Sequence, residues 1–155
     1  MLWRVIEGVI VPTCIELGIS QVVYSPIAQG VLTGKYRPGE QPPAGSRATD
    51  EKGGANMIKR WMSNDVLERV QQLVPLAEEA GLSMAQLAVA WVLQNDNVAS
   101  AIIGASRPEQ VFDNAAASGV KLDADLLTKI DDVLDPVVER DPARTSQSSP
   151  KTREA

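Results

Sequence analysis

The chain has 155 residues, of which 44% are hydrophobic and only 4% aromatic, and its formal net charge is −5. This length is enough for one domain with a core, and an acidic chain without a long basic cluster argues against nucleic acid or an anionic membrane surface as a partner. The complete absence of histidine excludes Ser-His-Asp and Cys-His nucleophilic sites and histidine metal sites.

Three features of the sequence bear on the cellular location. The single cysteine, Cys14, cannot form an internal disulfide, which fits a reducing compartment. The opening segment MLWRVIEGVIVPT lacks a basic region followed by a long apolar stretch, so no secretory signal is predicted. No apolar run approaches the roughly 20 residues of a membrane span. The expectation is a cytoplasmic protein with no membrane partner and no metal.

The first third of the chain predicts a helix, a strand and two loops. Apolar residues at helical spacing predict a helix over residues 5–17 that ends at Gly18. The β-branched run ISQVVYS predicts a buried strand, and PIAQGVLTGKY follows it as a loop. Residues 37–56 are rich in proline, glycine and charge, and are expected to form a long surface loop.

The next two segments predict helices. SNDVLERVQQLVPLAEEAG has an amphipathic pattern, with Ser63 or Asn64 as its cap and Pro75 as a bend or break. SMAQLAVAWVL is the strongest helical pattern in the chain. It begins with an S-x-x-Q capping box formed by Ser83 and Gln86.

A second strand and two further helices follow. NVASAIIGAS predicts the strand, SRPEQVFDNAAASG a helix with Ser106 and Glu109 as a capping box, and DADLLTKIDDVL a closing helix. Strands that alternate with helices predict parallel pairing in an α/β fold. Two strands are fewer than a stable parallel sheet normally contains. Either other segments pair with them, or the chain is part of something larger.

Two stretches that follow the strands could bind a ligand. Gly104 precedes a helix start that suits an anion, and Ser106 and Arg107 could bind phosphate oxygens. The alternative is a simple cap and a solvated charge. After the first strand, Tyr24 could stack on a flat ligand and Lys35 could reach a pyrophosphate, or the stretch could be only a strand end and a turn. Neither stretch contains a G-x-G-x-x-G or Walker A motif.

The two stretches taken together resemble a known family. The order YSPIAQGVLTGKY, SMAQLAVAWVL, AIIGASRPEQVFDN is similar to the C-terminal half of the aldo-keto reductases, above all the branch that includes the potassium-channel beta subunits. The resemblance extends from MLWRVIEG to DDVLDP. It implies a partial (β/α)8 TIM barrel, with residues 1–138 as the C-terminal half and about two parallel strands. Residues 139–155 are expected to be a disordered polar tail.

The resemblance also implies NADP as the cofactor and assigns binding residues in three segments. The aromatic residue would stack on the nicotinamide, the loop after it would lie over the pyrophosphate, the arginine of the long loop would close over the cofactor, and the last segment would hold the adenosine and its 2′-phosphate. Asp113 stands where the family often has glutamate, which gives it a shorter reach. The residues are Tyr24, Ser25, Pro26, Ile27, Ala28, Gln29, Lys35, Arg47, Gly104, Ser106, Arg107, Gln110, Asp113 and Asn114.

The same resemblance implies that catalytic residues are missing. The family's tyrosine acid and its Lys, Asp and His helpers belong to the N-terminal half, and this chain has no histidine. We therefore predict no catalytic residue here. One hypothesis is the cofactor-binding fragment of an NADP(H)-dependent aldo-keto reductase, an oxidoreductase that reduces carbonyls by hydride transfer. The alternative is a non-catalytic NADP-binding or interaction module that associates through its open sheet edges with another copy or a complementary half-barrel.

Overall fold

The computed structural model describes residues 1–147 and contains a two-stranded parallel sheet. Strand β1 (Gln21–Tyr24) pairs with β2 (Val98–Ile102), so that Val23 lies opposite Ala101 and Tyr24 opposite Ile102. Helices fill the long connection between the strands and cover part of the sheet. The predicted α/β class and parallel pairing are confirmed, and the arrangement fits part of a (β/α)8 barrel.

Seven α-helices occur in the described residues: α1 (Ile10–Glu16), α2 (Gly54–Ile58), α3 (Asn64–Gln72), α4 (Val74–Glu79), α5 (Met84–Leu93), α6 (Pro108–Ala115) and α7 (Ala124–Leu134). Pro75 lies in the first turn of α4, where a missing backbone N–H costs no hydrogen bond. The predicted break at this proline is therefore confirmed. Short 3₁₀ segments lie at Ala28–Thr33, Arg47–Thr49, Lys59–Trp61, Asp135–Val137 and Pro142–Gln147, and the first of them is interrupted by a kink at Gln29 and Gly30.

Side-chain caps fix the starts of three helices. The hydroxyl of Ser63 accepts from the backbone N–H of Val66, in the first turn of α3, at 3.4 Å. Both bonds of the Ser83–Gln86 box are present, at 3.1 and 2.9 Å, as the sequence predicts. The carboxylate of Asp123 accepts from the N–H of Leu126 at 2.7 Å and caps α7. Each such cap contributes about 1 kcal/mol to helix stability.

The core lies between α3, α4, α5, α7 and the segment that follows β1. Its fully buried side chains include Leu32, Tyr36, Leu73, Leu87 and Ile130, each at most 1% exposed. The apolar positions of α3, α5 and α7 supply most of this core, as their helical spacing predicts. The segment after β1 therefore packs against the helices and is part of the core.

Two predictions about the first third of the chain need correction. The helix predicted over residues 5–17 is limited to Ile10–Glu16, and none of its residues is buried. Strand β1 is not buried on both faces, because Val22 and Tyr24 are exposed. The long loop also contains α2 within its predicted span. Apolar spacing predicts which side of a helix or strand is apolar, but not whether another element covers it.

The predicted tail from residue 139 lies partly inside the described region. The backbone N–H of Glu139 donates to the carbonyl of Leu2 at 3.0 Å, and Arg4 donates back to the Glu139 carbonyl at 2.8 Å. A short 3₁₀ segment follows at Pro142–Gln147. Residues 148–155 lie outside the described residues. The first residue of this segment, Glu139, therefore pairs with the start of the chain.

In residues 1–147 no single helix is long and apolar enough to cross a membrane. The segment Asn64–Glu79, which comprises α3 and α4, and helix α5 (Met84–Leu93) reach that length only when taken together, and the two are bent by 86° relative to each other. Both contribute to the core described above.

Arg4 is buried beneath α5 and α7. Its Nε donates to the carbonyl of Met1 at 3.0 Å, and an Nη donates to the carboxylate of Asp131 at 2.5 Å. The guanidinium also lies 4.4 Å from the ring centroid of Trp91. A buried arginine with these three contacts ties the chain start to the helical layer.

We expect stability to rise with pH between about 5 and 8 when the Met1 amine is free. Burial, and then the charge of Arg4, lowers the pKa of this amine from 8.0 to about 5. In this window the unfolded chain holds a proton that the folded chain has lost, so raising the pH favours folding, by at most about 4 kcal/mol. Burial raises the pKa of the Glu7 carboxyl above 4.5, so this group acts with the opposite sign and lowers stability as the pH rises from 4.5 through its folded pKa.

Urea unfolding at several pH values checks this expectation. Because the chain has no histidine, few other groups titrate in the window. Acetylation of Met1 should remove the slope. A slope that survives acetylation would contradict the assignment to this amine.

Candidate functional site

The two predicted loops leave the sheet at the same edge. Parallel strands bring their carboxyl ends together, and the last residues of the two strands, Tyr24 and Ile102, lie opposite each other. The backbone N–H of Ser25 donates to the Ile102 carbonyl at 3.2 Å, which extends the pairing by one residue. The structure therefore brings together the loop at residues 25–35 and the segment at 103–107. In α/β proteins, ligands bind at this carboxyl edge.

The ring of Tyr24 is open to solvent. Tyr24 is 77% exposed although it ends a strand, and large aromatic side chains are seldom left in water without a packing partner. Its ring is available for stacking on a flat group.

The first loop is held in a strained conformation. Ser25, Ala28 and Gln29 have positive φ angles of 54°, 47° and 60°, which cost side-chain-bearing residues about 1 kcal/mol each. The Gln29 amide donates to the Ser25 hydroxyl at 2.7 Å and closes the loop. Ala28 and Pro26 are buried, whereas Lys35 is exposed at the loop's end. Such strain persists where surrounding packing enforces it, and it is common at binding loops.

The second segment begins α6 differently from the prediction. The predicted capping box of Ser106 and Glu109 is wrong, because α6 begins at Pro108 with Arg107 as its cap residue and no side-chain cap bond. Instead the N–H and hydroxyl of Ser106 both donate to the Gln110 side-chain carbonyl, at 2.8 and 3.1 Å. Ser106 therefore folds the loop onto the helix, and Arg107 stays exposed.

The remaining predicted residues of this segment are spread along the loop and α6. Gly104 and Asp113 are exposed, and Asn114 is buried. The backbone carbonyl of Asp113 accepts from the side chain of Gln86 at 3.0 Å. This bond fastens α6 to the start of α5.

Arg47 is separate from the two loops. It lies in the 3₁₀ turn Arg47–Thr49, and its Nη1 is 3.8 Å from the Met57 sulfur. Asp50 follows the turn, and its carboxylate accepts from the N–H of Gly54 at 3.1 Å, which joins the turn to the start of α2. No described side-chain bond joins Arg47 to the other predicted residues. Helix α2, against which this turn packs, also packs against the first loop.

Three cations of the predicted site have no acidic partner in residues 1–147. Arg47, Arg107 and Lys35 form no ion pair there, and the Nζ of Lys35 lies 5.2 Å from the Tyr36 ring centroid. Lys35 and Arg107 follow the carboxyl ends of β1 and β2, and uncompensated cations in such a position can hold phosphate groups. The residues present therefore fit the phosphate-bearing part of a dinucleotide.

The predicted residues lie outside the two clefts that the structure describes. The larger of two described clefts, about 530 Å³, is lined by residues that precede the strands, among them Ser20 and Asn97. This cleft therefore lies at the amino-terminal ends of the two strands, whereas the predicted loops leave from their carboxyl ends. A second cleft of about 170 Å³ lies beside Asp65 and Arg69. Neither cleft touches a predicted site residue.

Two residues that support the loops were not among the predicted site residues. Gly30 is buried with a φ of 99°, and a side chain there would lie 3.5 Å from the Lys35 Nζ. Gln86 caps α5 and also reaches α6. The glycine could have been found from the turn pattern, but the second role of Gln86 depends on a contact 27 residues away, for which the sequence holds no local signal.

Comparison with known proteins gives one consistent result. A sequence model of the Aldo/keto reductase family matches residues 1–135. A probable voltage-gated potassium channel subunit beta of Oryza sativa subsp. japonica is 40% identical over 141 residues, which is 90% of this chain and 42% of the relative. The corresponding protein of Arabidopsis thaliana is 39% identical over 97% of this chain and 42% of its own length.

A more distant relative carries an enzyme name. The NADH-specific methylglyoxal reductase of Escherichia coli strain K12 is 32% identical over 85% of this chain and 40% of its own length. The chain thus spans about two fifths of the length of these relatives. The family match covers most of the chain and agrees with the parallel strand pair and the paired loops at its carboxyl edge. This chain belongs to the aldo/keto reductase family, on the branch that includes the potassium-channel beta subunits.

Proposed function

We propose that this chain is the cofactor-side, C-terminal part of an NADP(H)-dependent aldo-keto reductase. The observation that carries the proposal is the parallel pairing of β1 and β2, which delivers the strained loop at 25–30 and the start of α6 to one edge. Resemblance assigns the first loop to the pyrophosphate and the second to adenosine. The position of two short loops at the carboxyl ends of neighbouring strands favours a dinucleotide that binds across those strand ends.

The chain's own residues would have distinct tasks. Tyr24 would stack on the nicotinamide ring, and Ser25 and Gln29, already bonded to each other, would present a fixed polar rim. Lys35 and Arg47 would neutralise the pyrophosphate from the side of the long loop. Arg107 would bind the 2′-phosphate as a bidentate donor. The bound nicotinamide supplies the hydride in the family's carbonyl reduction.

Proton transfer is the step for which this chain offers no residue. By resemblance, the tyrosine acid and its helpers lie outside the matched segment, and the chain has no histidine. Tyr24 and Tyr36 do not lie in the matching motif. Loss of a general acid typically costs about 10²- to 10⁴-fold in rate. We therefore propose binding without useful turnover.

The choice between NADP and NAD is part of the proposal. Arg107 and Ser106 favour a 2′-phosphate by their chemistry. However, one relative is named as NADH-specific, so both cofactors have to be compared. Asp113, with its shorter side chain, would reach adenine less well than glutamate.

The test is a fluorescence titration with NADPH and NADH, followed by an aldehyde-reduction assay with the purified 155-residue chain. We expect saturable binding with tighter affinity for NADPH and no measurable turnover. Turnover of an aldehyde at an ordinary rate would overturn the assignment as a fragment without its acid. Absence of saturable binding of either cofactor would overturn the cofactor role.

A second candidate function rests on the open sheet. Both outer edges of the β1–β2 pair are unpaired in the described residues, and unpaired strand edges attract partners. A non-catalytic module that binds NADP or only another protein would use those edges for association. A sizing measurement distinguishes it, because a defined oligomer that binds cofactor without turnover is the expected form of such a module.

A further inference from the structure

Gln86 uses both ends of its side-chain amide. Its Oε1 accepts from the backbone N–H of Ser83 at 2.9 Å, which is one of the two bonds of the α5 capping box. Its Nε2 donates to the backbone carbonyl of Asp113 at 3.0 Å. Asp113 lies in the last turn of α6, where backbone carbonyls lack an intrahelical donor. Gln86 therefore joins the start of α5 to the end of α6.

Helix α6 buries few side chains that could hold it in place. Asn114 is the only one of its residues that is buried, and Val111 and Phe112 are 53% and 76% exposed. Helix α5 packs against it. Because α6 buries so little apolar surface, one directed bond from α5 carries a large share of what fixes its position.

A second pair of bonds continues from α6 to the loop before it. The backbone N–H and the hydroxyl of Ser106 both donate to the Gln110 side chain, at 2.8 and 3.1 Å. Arg107 follows Ser106 directly and is the cap residue of α6. Gln110 and Asp113 are about one helical turn apart. A shift of α6 would therefore move Ser106 and Arg107 with it.

We propose that Gln86 is a positioning residue for the adenosine end of the cofactor. By holding the end of α6, it sets through Gln110 where Ser106 and Arg107 meet the 2′-phosphate. Gln86 acts through α6 and not by contact with the cofactor. This inference rests on the proposed function and deepens it, because it names a residue outside the two loops on which the preference for NADPH depends.

The substitution Gln86→Glu separates the two roles of this side chain. A glutamate also closes an S-x-x-E capping box and suits the first turn of a helix, so α5 keeps its cap. An ionised carboxylate has no N–H to donate, and one of its oxygens would face the Asp113 carbonyl. The substitution thus removes the bond to α6 and retains the bond within α5.

The matched control is Gln94→Glu, at the other end of α5. The Gln94 amide donates to the Leu122 carbonyl and accepts from the Leu122 N–H, both at 2.8 Å. Leu122 lies between α6 and α7. The control therefore introduces the same charge and loses the same kind of bond, but it leaves the bond between Gln86 and α6 in place.

Hydrogen exchange of the free 155-residue chain tests the positioning of α6 without any cofactor. We expect the amides of residues 112–116 to exchange about 2- to 10-fold faster in Gln86→Glu, the range for the loss of one hydrogen bond, and those of α5 to be unchanged. Gln94→Glu should leave residues 112–116 unchanged. Unchanged exchange there in Gln86→Glu, or an equal rise in Gln94→Glu, would overturn the proposal.

Fluorescence titration with NADPH tests the link to Arg107. We expect Gln86→Glu to weaken NADPH binding about 2- to 10-fold in the otherwise unsubstituted chain, but less than about twofold when Arg107 is already replaced by alanine, because the two residues act as one unit. Equal losses in both backgrounds would point to general destabilisation or charge repulsion and would overturn the proposal.

The two measurements separate this proposal from the proposed function. A chain that binds no NADPH would overturn the proposed function, and with it the role of Gln86 at the cofactor. The exchange of α6 in the free chain would still decide whether Gln86 positions that helix. Binding of NADPH that is insensitive to Gln86→Glu would count against the role of Gln86 alone.

Discussion

Replacing Arg107 with Ala should weaken NADPH binding by about 10- to 100-fold and change NADH binding by less than about twofold. Arg107 is exposed at the start of α6, beside the Ser106–Gln110 loop, and forms no ion pair in residues 1–147. A hydrogen-bonded pair between a guanidinium and a phosphate contributes about 1.5–3 kcal/mol. Only NADPH carries the 2′-phosphate, so the loss should be specific to it.

Fluorescence titration of both cofactors measures this difference. Lys121→Ala is the matched control, because it removes one exposed positive charge outside the predicted site. Arg107→Lys should keep the charge but lose the bidentate geometry. Its affinity for NADPH should therefore fall between that of the unsubstituted chain and that of Arg107→Ala. Equal losses for NADPH and NADH would show that Arg107 does not read the 2′-phosphate.

Replacing Arg4 with Ala should lower the free energy of unfolding by about 3 kcal/mol. The substitution removes two hydrogen bonds, to the Met1 carbonyl and to Asp131, and the contact with the Trp91 ring. It also leaves a void where a long side chain was 6% exposed, and voids of this kind cost a few kcal/mol. Arg4→Met fills the void without the charge, so we expect about half the loss.

Urea unfolding measures both variants against Lys129→Ala. Lys129 forms an exposed ion pair with Glu79 at 3.6 Å, and such pairs contribute less than about 1 kcal/mol. A loss for Arg4→Ala no larger than that for Lys129→Ala would mean that the buried arginine does not hold the chain start in place.

Both strands and most of the longer helices of this fold could be predicted because their signals are local. The Ser83–Gln86 box, the break at Pro75 and the β-branched run before Tyr24 are each encoded within a few residues. The exposure of β1 could not be predicted in the same way. Whether a strand face is covered depends on elements distant in sequence, and in residues 1–147 no element covers the face of Val22 and Tyr24.

The site was predictable only in part for the same reason. The chemistry of Lys35 and Arg107 follows from residue type, and their common edge follows from parallel pairing. The Ser106–Gln110 bond replaced an expected capping box because Pro108 begins α6 two residues later than Ser106. The strain at Ala28 and Gln29 had no signal, since neither residue type favours a positive φ.

Hydrogen exchange of the purified chain with and without NADPH tests the central claim most directly. The claim is that the two loops at the carboxyl edge form one wall of a dinucleotide site. We predict slower exchange of the backbone amides at residues 25–35 and 104–114 on NADPH addition, and unchanged exchange in α7. Protection confined to the opposite edge, around Ser20 and Asn97, or no protection at saturating NADPH, would contradict it.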